Sequence, residues 1–304
     1  MTIGIAVRGH NSGRAIFAAL AAVEAVGSGA IGGFVSAVGL AGKNVLRAET
    51  QTGGSAAVRF STARMEFESA TMAALISSGP NRPEPLAAFT LAEPGVGIVT
   101  GHRLPTALGQ DGVPMNRRAL ELMRNGASAG QALDRVLSAS PDADCGLAAI
   151  DAAGHGSAMQ TVAAERPDSF LICRSRNEAT VCVIHNAIQP AVPLADLAAE
   201  IALEIASPTL CETAEIVLAR GCPVRGGAVP ALVVDGTGRV CEIRLPAASA
   251  SGEQVLNLGY RPAVLGAAAE HHVLVYEPFV VACDGRVVSI DGVEAMTLKT
   301  AIPA

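Results

Sequence analysis

The chain has 304 residues, half of them hydrophobic and 16% charged, with a formal net charge of −6 and no tryptophan. The two lysines, Lys43 and Lys299, and the absence of any basic run argue against nucleic-acid binding, and scarce aromatics argue against stacking platforms for sugars or bases. Seven cysteines without a C-x-x-C pair argue against a disulfide framework or a zinc site. They read as small buried residues of a chain kept in a reducing, cytoplasmic setting.

Thr2–Val7 alternates and is rich in β-formers, so it reads as a first strand. A turn-rich segment, Arg8–Gly13, follows, and Asn11 or Ser12 is placed to cap a helix with Ile16, Phe17, Leu20 and Val23 on one face. The stretch Ile16–Gly42 carries Glu24 as its one charge. It reads as a buried helix followed by a buried strand (Ala30–Leu40), not as a membrane span. No signal peptide is expected at the N-terminus. A turn at Gly42-Lys43-Asn44 leads to a returning strand, and Gly53-Gly54-Ser55 punctuates before another. Residues 78–95, with Pro80, Pro83, Pro85 and Pro94, read as a loop or lid. Gly95–Thr100 is a short strand that opens into a polar loop carrying His102 and Arg103. Two helices are expected next, about Met115–Arg124 and from Ser128 onward, the second with a capping box completed by Gln131. Asp151–His155 marks a hairpin.

The second half repeats the order of helices and hairpins. A hairpin around Phe170–Ile184 precedes a helix from about Pro193. A further helix is expected from Thr209 to Gly221, then hairpins at Asp235–Gly238 and Asp284-Gly285. Hairpins imply antiparallel sheets, and paired helices imply helical layers covering them, so the fold class expected is α+β. A core over residues 1–190 and a C-terminal region over 191–304, packed into one globule, is the expected organisation. No dinucleotide fingerprint, phosphate loop or nucleophile elbow occurs, and no cofactor or metal is expected.

The feature with most chemical content is Met1-Thr2 running straight into a strand. Removal of Met1 leaves Thr2 with a hydroxyl nucleophile and a free α-amine, whose pKa of about 7.7–8.0 lets it serve as base. His102 and Arg103, just past a buried strand that ends at Thr100, are candidate substrate contacts, as is Arg8 for a carboxylate. Gly53, Gly54 and Ser55 offer backbone N–H groups for an oxyanion. Cys145 is a weaker candidate nucleophile, and the pair His271-His272 lacks further ligands at metal spacing.

The opening MTIGIAVRG and the segment Gly95–Ala158 resemble an uncharacterised bacterial group with the N-terminal-nucleophile (Ntn) hydrolase fold. Thr2 and Arg8 fall on that pattern. Residues 13–30 look like an insertion, and about the last 120 residues have no counterpart in the resemblance. The resemblance implies an αββα-type sandwich of antiparallel sheets flanked by helices, with Thr2 as nucleophile. It also implies a basic group after the second strand, a role that falls to Lys43. The expected function is amide hydrolysis of a small anionic, peptide-like substrate by a homo-oligomer. An acyltransferase with the same nucleophile, or a non-catalytic binding or assembly protein that keeps the fold, is the alternative.

Overall fold

The computed structural model describes residues 2–83, 85–189, 193–208, 210–246, 248–258, 263–266, 272–275 and 277–303. Thr209 and His271 lie outside them. Two compact units are present, Met1–Ser207 and Pro208–Ala304. Among the described residues no helix is long and apolar enough to cross a membrane.

The first unit runs β1 (Thr2–Arg8), α1 (Ser12–Val26), β2 (Val35–Ala41), β3 (Asn44–Thr50), β4 (Arg59–Phe60), α2 (Arg64–Glu68), β5 (Met72–Ser78) and β6 (Leu91–Glu93). It continues through β7 (Gly97–Arg103), α3 (Met115–Arg124), α4 (Ala129–Ser138), β8 (Cys145–Asp151), β9 (Gly156–Gln160), β10 (Ser169–Arg176), β11 (Ala179–Asn186) and α5 (Leu194–Ala206). Two sheets result, ordered β10-β11-β1-β5-β2-β3-β4 and β6-β7-β8-β9, with every pairing antiparallel.

The alternation in β1 decides what packs where. Ile3, Ile5 and Val7 point to one face, where they join Ile16, Leu20 and Val23 of α1 and Ala198, Ala202 and Leu203 of α5 in one buried cluster. Ala6 points to the other face and meets Ile98 of β7 with Ala148 and Ile150 of β8. The far face of β7 and β8, through Val99, Leu147 and Ala149, is covered by Ala119 and Met123 of α3 and Leu133 and Val136 of α4. The sheets approach so closely that a Cβ at Gly4 would lie 2.4 Å from the Gly101 carbonyl oxygen. The box at Ser128 forms as expected, its hydroxyl accepting from the Gln131 amide N–H while the Gln131 side chain accepts from the Ser128 N–H. On the outer surface Arg174 and Arg176 of β10 pair with Asp196, Glu200 and Glu204 of α5. The loop over residues 78–95 is tied down at Arg82, whose backbone N–H and C=O both bond the Gln51 side chain, at 2.9 Å each.

One cysteine pair departs from expectation: Cys173 and Cys182 form a disulfide. They stand directly opposite one another on β10 and β11, a proximity created by strand register that spacing along the chain does not reveal.

The second unit comprises β12 (Leu210–Ala219), β13 (Val224–Gly226), β14 (Ala231–Val234), β15 (Val240–Leu245), β16 (Glu253–Asn257), β17 (Ala263–Leu265), β18 (His272–Leu274), β19 (Phe279–Cys283), β20 (Arg286–Ile290) and β21 (Ala295–Pro303). One sheet has the order β12-β21-β18-β17-β14-β15-β13, with parallel pairs β13/β15 and β14/β17, and the other is β16-β19-β20. The helix expected over 209–221 is instead the strand β12. Ile216 and Leu218 are buried while Glu215 and Val217 are exposed, a period of two that the long antiparallel pairing with β21 reads as a strand. The hairpins at Asp235–Gly238 and Asp284-Gly285 form as expected. The second unit has its own core, built around Leu218, Leu232, Ile243, Val264 and Leu298.

Candidate functional site

Thr2 is the first residue of a central strand and is 7% exposed. Its register partners are Asn186 on β11 and Ser78 on β5, and Asn186 in turn faces Ser169 on β10. Directly opposed residues share a sheet face, so Ser169, Asn186, Thr2 and Ser78 form a polar row across four neighbouring strands. The row lies on the face turned toward β7 and β8, at the end of the sheet where a cavity of about 470 Å3 opens. Its polar lining includes Thr2, Ser78, Arg82, Arg103, Asp144 and Asn186, and its apolar walls include Phe34, Ile76, Phe89 and Leu104.

An arginine stands at each end of the row. The Arg82 guanidinium donates to Ser78 Oγ at 2.7 Å and lies over the Phe34 ring, 5.7 Å from its centroid. Ser78 Oγ also accepts from the Thr2 hydroxyl at 3.4 Å. At the other end Arg103 reaches Ser169 Oγ at 3.4 Å and stands between Asp144 and Asp168, 3.4 and 3.9 Å away. The Arg103 charge is therefore met by two carboxylates. Among the described residues, no carboxylate lies within ion-pair distance of Arg82. Asn186 is buried beside Thr2, and its side-chain oxygen has no hydrogen-bond partner among the described residues.

A family model described as a domain of unknown function, DUF6963, matches residues 2–214. The chain belongs to this family. No curated protein and no solved structure gives a match. Every residue of the Thr2 cavity lies inside the DUF6963 match.

Of the residues singled out in the sequence, Thr2 and Arg103 meet in this cavity and the others do not. Lys43 sits in the β2–β3 turn and Arg8 at the far end of β1, one strand length from Thr2, roughly 20 Å for seven residues. Neither approaches the Thr2 hydroxyl, because β1 and β2 run antiparallel to β5 and carry both residues to the opposite edge. The Gly54 N–H donates to the Gly33 carbonyl, and the Ser55 N–H to the Glu24 carboxylate, so both donors are already used. Gly53 forms the left-handed turn ahead of them and does not line the cavity. Thr100 is buried and donates to the Leu75 carbonyl at 2.8 Å.

His102 is fully buried between the sheets, its ring lying over Gly146. Burial above all, then the Arg103 charge and His185, push its pKa down to about 3, opposed by the Gln160 side chain. His102 is thus neutral at pH 7 and is not a cation for an anionic substrate. His185, buried and stacked on Phe170, is pushed down to about 4 by burial, opposed by Asp168. Burial, helped by Asp144, raises the Cys145 thiol to about 12, which rules it out as a nucleophile near neutral pH. Among the described residues no group of three potential ligands is placed to hold a metal.

Sequence reasoning missed Ser78, Arg82, Asp144 and Asn186. The signal for Ser78 and Asn186 was a polar residue closing an apolar β-run, at Ile76-Ser77-Ser78 and Ile184-His185-Asn186. What register each run would take beside Thr2 is set by pairing and was not visible in the chain.

Proposed function

We propose that the first unit is an amide-bond hydrolase of the Ntn class, with Thr2 as nucleophile once Met1 has been removed. The observation that carries this reading is the Thr2 hydroxyl at the head of a central strand, opening into a cavity beside Ser78, Arg82 and Asn186. The order of the packed layers also supports it: helices α1 and α5, one sheet, a second sheet, helices α3 and α4, as expected of the αββα arrangement of that class.

In this reading Ser78, itself held by Arg82, fixes the direction of the Thr2 hydroxyl. The α-amine of Thr2 takes the hydroxyl proton as Oγ1 forms its bond to the substrate carbonyl carbon. The Asn186 amide, buried and one strand away, donates to the oxyanion that develops. The proton passes to the leaving nitrogen as the C–N bond breaks, and water then hydrolyses the ester. Arg82, which among the described residues has no carboxylate partner, takes an anionic group of the substrate, and Phe34 and Phe89 take an apolar one.

The test has two parts. Intact mass of the natively expressed protein asks whether the chain begins at Thr2. A panel of N-acyl amino acids is then screened with wild type, Thr2→Ala and Thr2→Ser. Thr2→Ala is expected to lower kcat by about a thousandfold or more while Thr2→Ser keeps measurable turnover. A Thr2→Ala protein with full activity on a confirmed substrate sinks the assignment. Quantitative retention of Met1 blocks the amine and leaves a binding protein with this fold as the reading to pursue.

A further inference from the structure

A second cavity, about 660 Å3, lies at the opposite edge of β1, around Arg8. Nothing in the proposed chemistry uses it. Its shape is built around the arginine. One guanidinium nitrogen donates to the Glu178 carbonyl at 3.2 Å. Gly154, at φ +96°, lets the backbone come so close that a Cβ there would stand 2.5 Å from that same nitrogen. The β8–β9 turn holding Gly154 is itself fixed by Thr180, whose hydroxyl donates to the Gly154 carbonyl at 2.9 Å. Arg8 is thus braced from two sides by uncharged backbone. Among the described residues no carboxylate comes within ion-pair distance of it. A braced guanidinium with open donors in a cavity is suited to bidentate pairing with a planar oxyanion.

We infer that this cavity binds a small organic monocarboxylate, independently of any reaction at Thr2. Leu40, Met72, Pro94 and Ala179 form apolar walls that accept a carbon body, which inorganic phosphate lacks. Glu178 is also among the residues lining the cavity, and its negative charge raises the cost of a second negative charge on a ligand, which disfavours dianions.

The probes are sodium benzoate, sodium butyrate and inorganic phosphate, titrated calorimetrically into the full-length protein. Arg82→Gln is the starting background, so that the Thr2 cavity adds no anion binding of its own. Saturable binding of benzoate or butyrate is expected, weakened about tenfold or more by Arg8→Gln and less by Arg8→Lys. Thr71→Trp fills the cavity from an exposed position while leaving Arg8 itself in place, and is expected to weaken binding even if Arg8→Gln folds poorly. The inference is overturned if neither carboxylate binds saturably, if Arg8→Gln and Thr71→Trp leave binding unchanged, or if phosphate binds more tightly than both carboxylates.

Discussion

At the scale of single residues, the two buried histidines carry a consequence that does not depend on catalysis. His102 and His185 fold with pKa values of about 3 and about 4, below the ordinary value of 6.5, because burial disfavours the imidazolium. The unfolded chain binds those protons more readily, so stability is fully present above pH 6.5 and is lost as pH falls through 6.5 toward 4. At about 1.4 kcal/mol per unit, each histidine costs the fold on the order of 3 kcal/mol at the acid end. His185→Phe keeps the stack on Phe170 and removes the titration. Its urea midpoint is expected to fall less between pH 7 and pH 4 than that of wild type, and parallel slopes would count against the argument. The same scale shows what was legible in the site. Thr2 could be singled out because a candidate nucleophile on the first residue needs no partner from elsewhere, and Arg103 because it stands at the end of a buried strand. Ser78, Arg82 and Asn186 reach Thr2 only through the pairing of β5 and β11 with β1. Arg8 and Lys43 failed for the same reason in reverse, since an antiparallel strand puts its two ends on opposite edges of the sheet.

At the scale of elements, one close approach between the two sheets depends on glycine, set among the side chains packed between them. Gly4 on β1 faces the Gly101 backbone on β7, and a methyl group there would need the Gly101 carbonyl to move from 2.4 Å to van der Waals distance. The sheets cannot yield locally, because Ala6, Ile98, Ala148 and Ile150 are packed immediately beside them. Gly4→Ala is therefore expected to cost about 1–3 kcal/mol, measured as a lower urea midpoint with an unchanged m-value. A neutral result would mean that the sheets are not packed as tightly as these distances state. Elements with local signals were legible: the Ser128–Gln131 box, the Asp-Gly hairpins and the apolar stripe of α1. The segment 210–219 was not, because Glu212, Ala214, Glu215 and Ile216 satisfy a helical pattern as readily as a strand. Only pairing with β21, some 80 residues further on, decides between them.

At the scale of the molecule, the buried clusters divide between the units without sharing a residue. Those of α1/α5, of α3/α4 and between the two sheets draw only on residues before Ser207, and the remaining large cluster begins at Ile216. The DUF6963 match runs to residue 214, a few residues into β12, yet that strand is paired with β21 and contributes no strand to the sheets of the first unit. A segment of about 200 residues is long enough to bury a self-sufficient core. A chain ending at Ser207 is therefore expected to fold alone, with dispersed amide resonances and a single cooperative thermal transition. It should also retain whatever anion binding the Arg8 and Thr2 cavities show in the full chain, because every residue lining either one is present. Collapsed amide dispersion with strong binding of a hydrophobic dye would mean that the first unit needs the second to complete its core. The division after α5 would then describe the shape of the chain but not its folding, and β12 would have to be counted as structural support for the first unit despite its pairing.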